Sequence, residues 1–270
     1  MSGAIQSPAA GSGLQPHATT LRNMATFVIV HGAWGGGWEW SPVADILRRH
    51  GHRAFTPTLT GMGERAHLSQ GEPVGIGTHI DDIIAVFEFE CLRDVVLCGA
   101  SYGGIAATGA ADRAADRVRL LVYIDGLVPV PGRPAIDLFP ASIADMIRDG
   151  IAEHGSAWRV PMPAGLFDAL IPPGSVPEAV RQDYLDRIRA HPAASFTEPI
   201  RHTGAAESVP KAFVSCTTGN YAEQVGGDPV AVAAAHAREA GWTYREIPVG
   251  HDPKVFDAEG IARLMIELAN

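Results

Sequence analysis

Six short apolar runs recur along this 270-residue chain, and helix-like segments separate them. They cover residues 25–30 (ATFVIV), 52–59, 94–100 (DVVLCGA), 119–125 (RLLVYID), 211–217 and 243–249. Runs this short and rich in Val, Ile and Leu suit strands buried on both faces. Strands that alternate with helices imply an α/β fold: a mainly parallel sheet with helices on both faces. Ligands on such sheets bind at the carboxyl ends of the strands. Local punctuation agrees. Ser41-Pro42 reads as an N-cap followed by a first-turn proline, and Gly51 as the stop of that helix. Thr78 is a candidate cap for a helix to about residue 90, with Asp81 and Asp82 in its first turn.

The alternation breaks between residues 127 and 207. Prolines are frequent there, helix candidates lie near 140–154 and 177–191, and no strong strand appears. The expected organisation is therefore a tail at 1–24, a core made of 25–126 and 208–270, and a mostly helical cap insertion at 127–207. The tail is rich in Ser, Gly, Pro and Ala and reads as flexible. It lacks a basic stretch followed by an apolar one, so no signal peptide is expected. Met24 directly precedes the first strand and is a candidate start.

Hydrophobic residues make up 46% of the chain, ample for a core, and the net charge is -9 with no long basic run. That balance argues against nucleic acid or an anionic membrane as partner. No apolar run approaches the roughly 18 residues that a membrane span needs. Cys91, Cys98 and Cys216 form no C-x-x-C pair, and a disulfide framework is not expected. A cytoplasmic enzyme is the expectation, and a homodimer stays open.

The chemistry concentrates at three strand ends. Gly99-Ala100-Ser101-Tyr102-Gly103 joins a buried strand to a helix rich in Ala and Gly. A G-x-S-x-G in that setting puts the serine on a sharp, strained turn, with its hydroxyl exposed above the sheet. Small neighbours let strand and helix approach, and the helix N-terminus favours developing negative charge. Ser101 is the candidate nucleophile. His31-Gly32-Ala33 follows the first strand. The oxyanion of an acyl-transfer intermediate needs two donors. The N–H groups of Tyr102 and Ala33 are the candidates, with Trp34 second to Ala33. Gly35-Gly36-Gly37 is read as giving this loop room near the substrate, and His31 as a structural ring.

Gly250-His251 follows the last strand, which places His251 as the general base in the chain order nucleophile, acid, histidine. His50, His52, His154, His191, His202 and His236 sit in polar or helical settings and read as surface residues. His67 and His79 could lie nearer the pocket, without a role assigned. The acid is harder to place. Residues 217–220 (TTGN) offer no carboxylate after the fifth strand. Asp125 ends the strand that follows the nucleophile helix, on the same sheet edge as Ser101, and is preferred. Asp228, which reads as an N-cap, Glu223, or no acid at all remain open.

The stretch FVIVHGAWGGGWEW, the G-x-S-x-G-G elbow and GHD before the last helix resemble the α/β-hydrolase superfamily over residues 25–270. More narrowly, TLTGMGERAHL, THIDDI and YIDGLVP resemble the bacterial relatives of plant methylesterases and hydroxynitrile lyases, a group that includes salicylate-ester and pyrethroid esterases. The resemblance implies no metal and no organic cofactor, and it supports Asp125 as a relocated acid. Ala100 departs from the histidine that many relatives carry before the nucleophile.

The expected activity is hydrolysis of a small or bulky-apolar carboxylic ester, thioester or lactone through an acyl-enzyme. Trp34, Trp158 and Leu127 are the expected substrate contacts, with Trp38, Trp40, Phe139, Leu166, Phe167 and Phe196 as further apolar surface. Glu64-Arg65 reads as an ion pair within its loop or a contact at the pocket edge. Two alternatives are a C–C lyase of the hydroxynitrile type and a receptor without turnover. The lyase would need a cation near the substrate, and residues 127–207 contain no lysine.

Overall fold

In a computed structural model of the protein, residues 24–69, 71–219 and 227–270 are described. The tail at 1–23 and Glu223 lie outside them. The core strands are β1 (Thr26–Val30), β2 (Arg53–Phe55), β3 (Val95–Ala100), β4 (Val118–Ile124), β7 (Lys211–Cys216) and β8 (Thr243–Ile247), while β5 (Arg159–Val160) and β6 (His191–Pro192) pair in the insertion. The helices are α1 (Ser41–Arg49), α2 (Ile76–Phe89), α3 (Gly103–Arg113), α4 (Ala141–His154), α5 (Leu166–Leu170), α6 (Glu178–Arg187), α7 (Ala194–Thr197), α8 (Pro229–Glu239), α9 (Pro253–Phe256) and α10 (Ala258–Leu268).

The core strands form one six-stranded sheet in the order β2-β1-β3-β4-β7-β8, and every pairing is parallel. Alternate side chains of each strand enter opposite cores, as the period of two demands. Phe27 and Ile29 of β1 pack with α1 and α10 through residues such as Leu47 and Met265. Val28 and Val30 face α2, α3 and α8 through Ile83, Ile105 and Ala234. The sheet is thus buried on both faces, as its apolar runs require. Among the described residues, no helix is long and apolar enough to cross a membrane.

Local signals were displaced in two places. Helix α1 begins at Ser41 itself, because the 3-10 turn Gly37–Trp40 runs straight into it and no side chain caps it. Helix α2 begins at Ile76 after Gly75, so Thr78 lies inside its first turn. Asp82 instead accepts the N–H of Thr60 at 2.6 Å and pairs with Arg65 at 3.0 Å. Arg65 also donates to the Thr58 carbonyl, so its carboxylate partner is Asp82 rather than Glu64.

The insertion carries α4 to α7 and one feature its sequence hid. β5 and β6 form an antiparallel pair, with Val160 opposite His191. Arg159 fastens this pair to the loop after β2. Its guanidinium donates to the carbonyls of Ala66, Gly61 and Ala190 at 2.5, 2.7 and 2.7 Å, and to Ser69 Oγ at 2.6 Å. Arginine presents five donors in a fixed fork, which suits one residue to so many acceptors.

Candidate active site

Sheet register decides which residues meet. Val30 pairs with Gly99, Ala100 with Ile124, and Ile124 with Val214. The residues just beyond β1, β3 and β4 therefore share one edge: His31, Ser101 and Asp125. Ser101 has φ 49° and Asp125 has φ 44°. Left-handed backbone costs an L-residue about 1–2 kcal/mol, and such strain persists only where the surroundings impose it.

Around Ser101 the imposition is steric. A Cβ on Gly103 would lie 2.4 Å from the Val30 carbonyl oxygen, and one on Gly99 2.6 Å from that of Gly103. The turn is then tied down. The Ser101 N–H donates to the Ile124 carbonyl at 3.3 Å, and the Ser101 carbonyl accepts from Leu127 at 2.9 Å and Gly104 at 3.1 Å. Gly32 packs directly on the serine, since a Cβ there would lie 3.3 Å from Ser101 Cβ. Among the described residues, neither the Ala33 nor the Tyr102 N–H has a hydrogen-bond acceptor.

The oxyanion loop is braced by neutral histidines. The Leu59 N–H donates to His31 Nε2 at 3.1 Å, so Nδ1 carries the proton and donates to the Gly32 carbonyl at 2.8 Å. Burial pushes His31 down to about 3. A charged ring would lose that acceptor nitrogen. His79 is alike: Nε2–H donates to the Thr60 carbonyl at 2.9 Å, and Nδ1 accepts from the Tyr102 hydroxyl at 2.8 Å. Burial lowers it to about 4. His191, read as a surface residue, is fully buried and stacks on Phe196 at 4.0 Å. His52 is buried too and accepts the Ala25 N–H.

The glycine run has a different use from the one expected. A Cβ on Gly35 would lie 2.4 Å from the Glu39 carboxylate, one on Gly36 2.7 Å from the Trp38 ring, and one on Gly37 1.9 Å from the Thr56 carbonyl oxygen. The run makes room for its own neighbours. Trp34 has φ 62°, and its indole N–H donates to the Val160 carbonyl at 3.0 Å, which ties the loop to the insertion.

His251 and Asp125 meet. Imidazole Nδ1–H donates to Asp125 Oδ2 at 2.6 Å, with both side chains more than 90% buried. The other carboxylate oxygen, Oδ1, accepts the Cys216 N–H at 3.0 Å. This contact fixes the tautomer of the neutral ring and makes Nε2 its basic nitrogen. Burial would lower the imidazole, but the hydrogen bond and charge of Asp125, with the charge of Asp252, outweigh it and hold His251 above its ordinary value. Asp228 is engaged elsewhere: it caps α8, accepting from Val230 and Ala231.

Ser101 and His251 line one pocket, which opens to solvent. Ala33 and Trp34 also line it, and Met162, Leu166, Phe167 and Ile171 bring an apolar wall from the insertion. Trp158 and Leu127 do not. Trp158 lies against Gly150, and the main chain of Leu127 packs under Gly104. Two charged residues that the sequence reading passed over stand in the wall, Glu39 and Lys254. A lysine is therefore present in the pocket, supplied by α9 rather than by the insertion.

A family model described as the alpha/beta hydrolase family matches residues 27–263. The chain belongs to that family. It is 37% identical to a carbendazim hydrolyzing esterase of Nocardioides sp. (strain SG-4G) over 246 residues, 86% of this chain and 94% of that one. Methylesterase 18 of Arabidopsis thaliana is 33% identical over 110 residues, 39% of this chain and 40% of that one. Among solved structures, an extracellular alpha/beta-hydrolase from a Paenibacillus species superposes with a TM-score of 0.77 at 22% identity, covering 90% of this chain and 98% of that one. A pyrethroid hydrolase from Sphingobium faniae JZ-2 gives 0.66 at 19% identity, covering 91% and 97%. Membership and relatives together make the chain an ester hydrolase of this family.

Proposed function

We propose that this enzyme hydrolyses small carboxylic esters with a bulky apolar group, through an acyl-enzyme on Ser101. The observation that carries the reading is the 2.6 Å contact between His251 Nδ1 and Asp125, on a histidine that shares a pocket with Ser101. Ser101 Oγ attacks the ester carbonyl while His251 Nε2 takes its proton. The N–H groups of Ala33 and Tyr102 receive the oxyanion. His251 then passes the proton to the departing alkoxide, which leaves as the alcohol. Water attacks the acyl-serine with the same histidine as base, and the carboxylic acid is released. Asp125 keeps the ring oriented and stabilises its charged form. The wall of Met162, Leu166, Phe167 and Ile171 favours an aromatic or branched aliphatic group.

The test is release of p-nitrophenol from short acyl esters, with Ser101→Ala beside wild type. Loss of Ser101 should cost on the order of 10⁵-fold in kcat. Unchanged turnover in that variant would end the serine reading. A C–C lyase is the second reading, since Lys254 lines the pocket, but its ammonium is held by Asp252 and faces Glu39. Cleavage of an aromatic cyanohydrin without esterase activity would favour it.

A further inference from the structure

The wall of the pocket is not uniformly apolar. Glu39 stands in it from the turn Gly37–Trp40, and Lys254 from α9. Their side chains are only 9% and 5% exposed. Charged groups are rarely buried this far unless they are paired or used. Lys254 is well provided for: Nζ donates to Asp252 Oδ1 and lies 5.6 Å from the centre of the Trp40 ring. Glu39 is not. The ion pair with Lys254 is long, at 3.8 Å, and among the described residues no closer donor meets the carboxylate. An ionised carboxylate offers about four acceptor sites. Its place is nevertheless built, because Gly35 leaves open the very space that the carboxylate fills.

We infer that the Glu39 carboxylate is a specificity-determining acceptor for a hydrogen-bond donor on the substrate, an N–H or O–H close to the scissile carbonyl. The inference rests on the ester-hydrolase reading and deepens it. An ester that brings such a donor gives the carboxylate a close partner in place of solvent, and one without it leaves that carboxylate with only its long ion pair to Lys254. Sites built around a polar bond discriminate strongly against analogues that lack it. Burial also raises Glu39 to about 7, with Lys254 and Arg187 opposing the rise and Asp252 adding to it. Tyr184 of α6 and His251 line the same pocket.

The experiment compares matched esters: methyl N-phenylcarbamate with methyl phenylacetate for the N–H, and methyl 2-hydroxybenzoate with methyl 2-methoxybenzoate for the O–H. The quantity read is the kcat/KM preference for the donor-bearing member of each pair. Comparing variant with wild type cancels the intrinsic reactivity of the esters. In Glu39→Met this preference should fall about ten-fold for at least one pair, the size of a hydrogen bond to a charged group. The pair affected tells whether N–H or O–H is the donor. In Glu39→Gln, which keeps one neutral acceptor, it should fall less. In the wild-type enzyme the preference should weaken as pH drops from about 9 to about 5, because protonation removes the charged acceptor, while the titration of His251 cancels between paired esters. Preferences equal to wild type in Glu39→Met would overturn the inference, and so would a flat wild-type preference across pH should that variant fail to fold. Absence of hydrolysis of every ester by wild type would strike the underlying reading instead.

Discussion

The ends of β4 and β7 lie side by side on the same sheet edge, yet they are built in opposite ways. β4 stops at a tight left-handed turn whose first residue is Asp125. β7 runs on through Thr217 and Thr218, which bond to the carbonyls of Ile247 and Val249, and offers no carboxylate there. The two ends still cooperate. Asp125 uses one oxygen for the imidazole and the other for the N–H of Cys216, the last residue of β7. So β7 contributes to the proposed triad through its backbone. An acid in such a site is defined by its reach to the imidazole, and the strand that delivers it is free to vary.

That contrast can be broken directly. Asp125→Asn should lower kcat on the order of 10⁴-fold, since the amide can hold the wrong tautomer. Steady-state kinetics on a p-nitrophenyl ester measures it, and a loss below ten-fold would remove Asp125 from the mechanism. Moving the acid to the other strand end, Asp125→Asn with Thr217→Asp, should recover roughly ten- to a hundred-fold of that loss if reach is what matters. No recovery would mean that the turn at Asp125 is itself required.

The turns can be compared by stability. Gly126→Ala would place a Cβ 2.8 Å from the Gly99 carbonyl oxygen, joining the Asp125 turn to the Ser101 strand. A backbone shift there should cost about 3 kcal/mol in urea unfolding. Gly219→Ala, beyond β7, meets nothing closer than 3.7 Å and suffers only from its φ of 101°. It should cost about 1–2 kcal/mol. Equal costs would deny the difference between the two ends.

The smallest effect is on pH. His251 is held above its ordinary value, so kcat/KM should rise with pH through an apparent pKa above 6.5. In Asp125→Asn the favourable charge is gone and burial remains, so that limb should move to lower pH. The sign for stability is opposite to that for activity. A raised histidine pKa means the charged pair stabilises the fold below the unfolded value of 6.5, and that contribution is lost as pH rises through the folded value.

The sheet was legible because burial on both faces leaves a long apolar signature; five core strands lie within the runs that announced them, and β4 begins one residue early, at Val118. β2 is the exception in length: only Arg53–Phe55 pairs, while Leu59 turns away and donates its N–H to His31. Ser101 and Asp125 stood out for a related reason, since each directly follows a strand, and His251 lies four residues past the end of β8. In the insertion, the helices Ala141–His154 and Glu178–Arg187 lie where they were expected, but the strand pair left no signal. β5 and β6 span two residues each, and the acceptors that hold Arg159 beside them lie in a loop distant in sequence. His191 looked polar among Arg189, Ala190 and Pro192, and nothing local says that Phe196 and Tyr102 close over it. Trp158 and Leu127 show the converse, because apolar character does not separate a pocket wall from a core. Glu39 did leave a trace: a lone carboxylate between Trp38 and Trp40, beside three glycines, is an odd charge in an apolar segment.

The four bonds made by Arg159 bear on how this enzyme could change over time. Its guanidinium grips the loop after β2 by two backbone carbonyls and one serine hydroxyl, and its own insertion by the Ala190 carbonyl. Carbonyls are indifferent to side-chain identity, so Ala66 is free to vary while the grip holds, whereas Ser69 and the left-handed Gly61 are not. A foreign insertion spliced between β4 and β7 has no such freedom: it must arrive with its own cation at this spot, or leave the Ala66 and Gly61 carbonyls without their donor. Exchange of substrate-facing segments among relatives is thereby limited to those that carry the matching rivet.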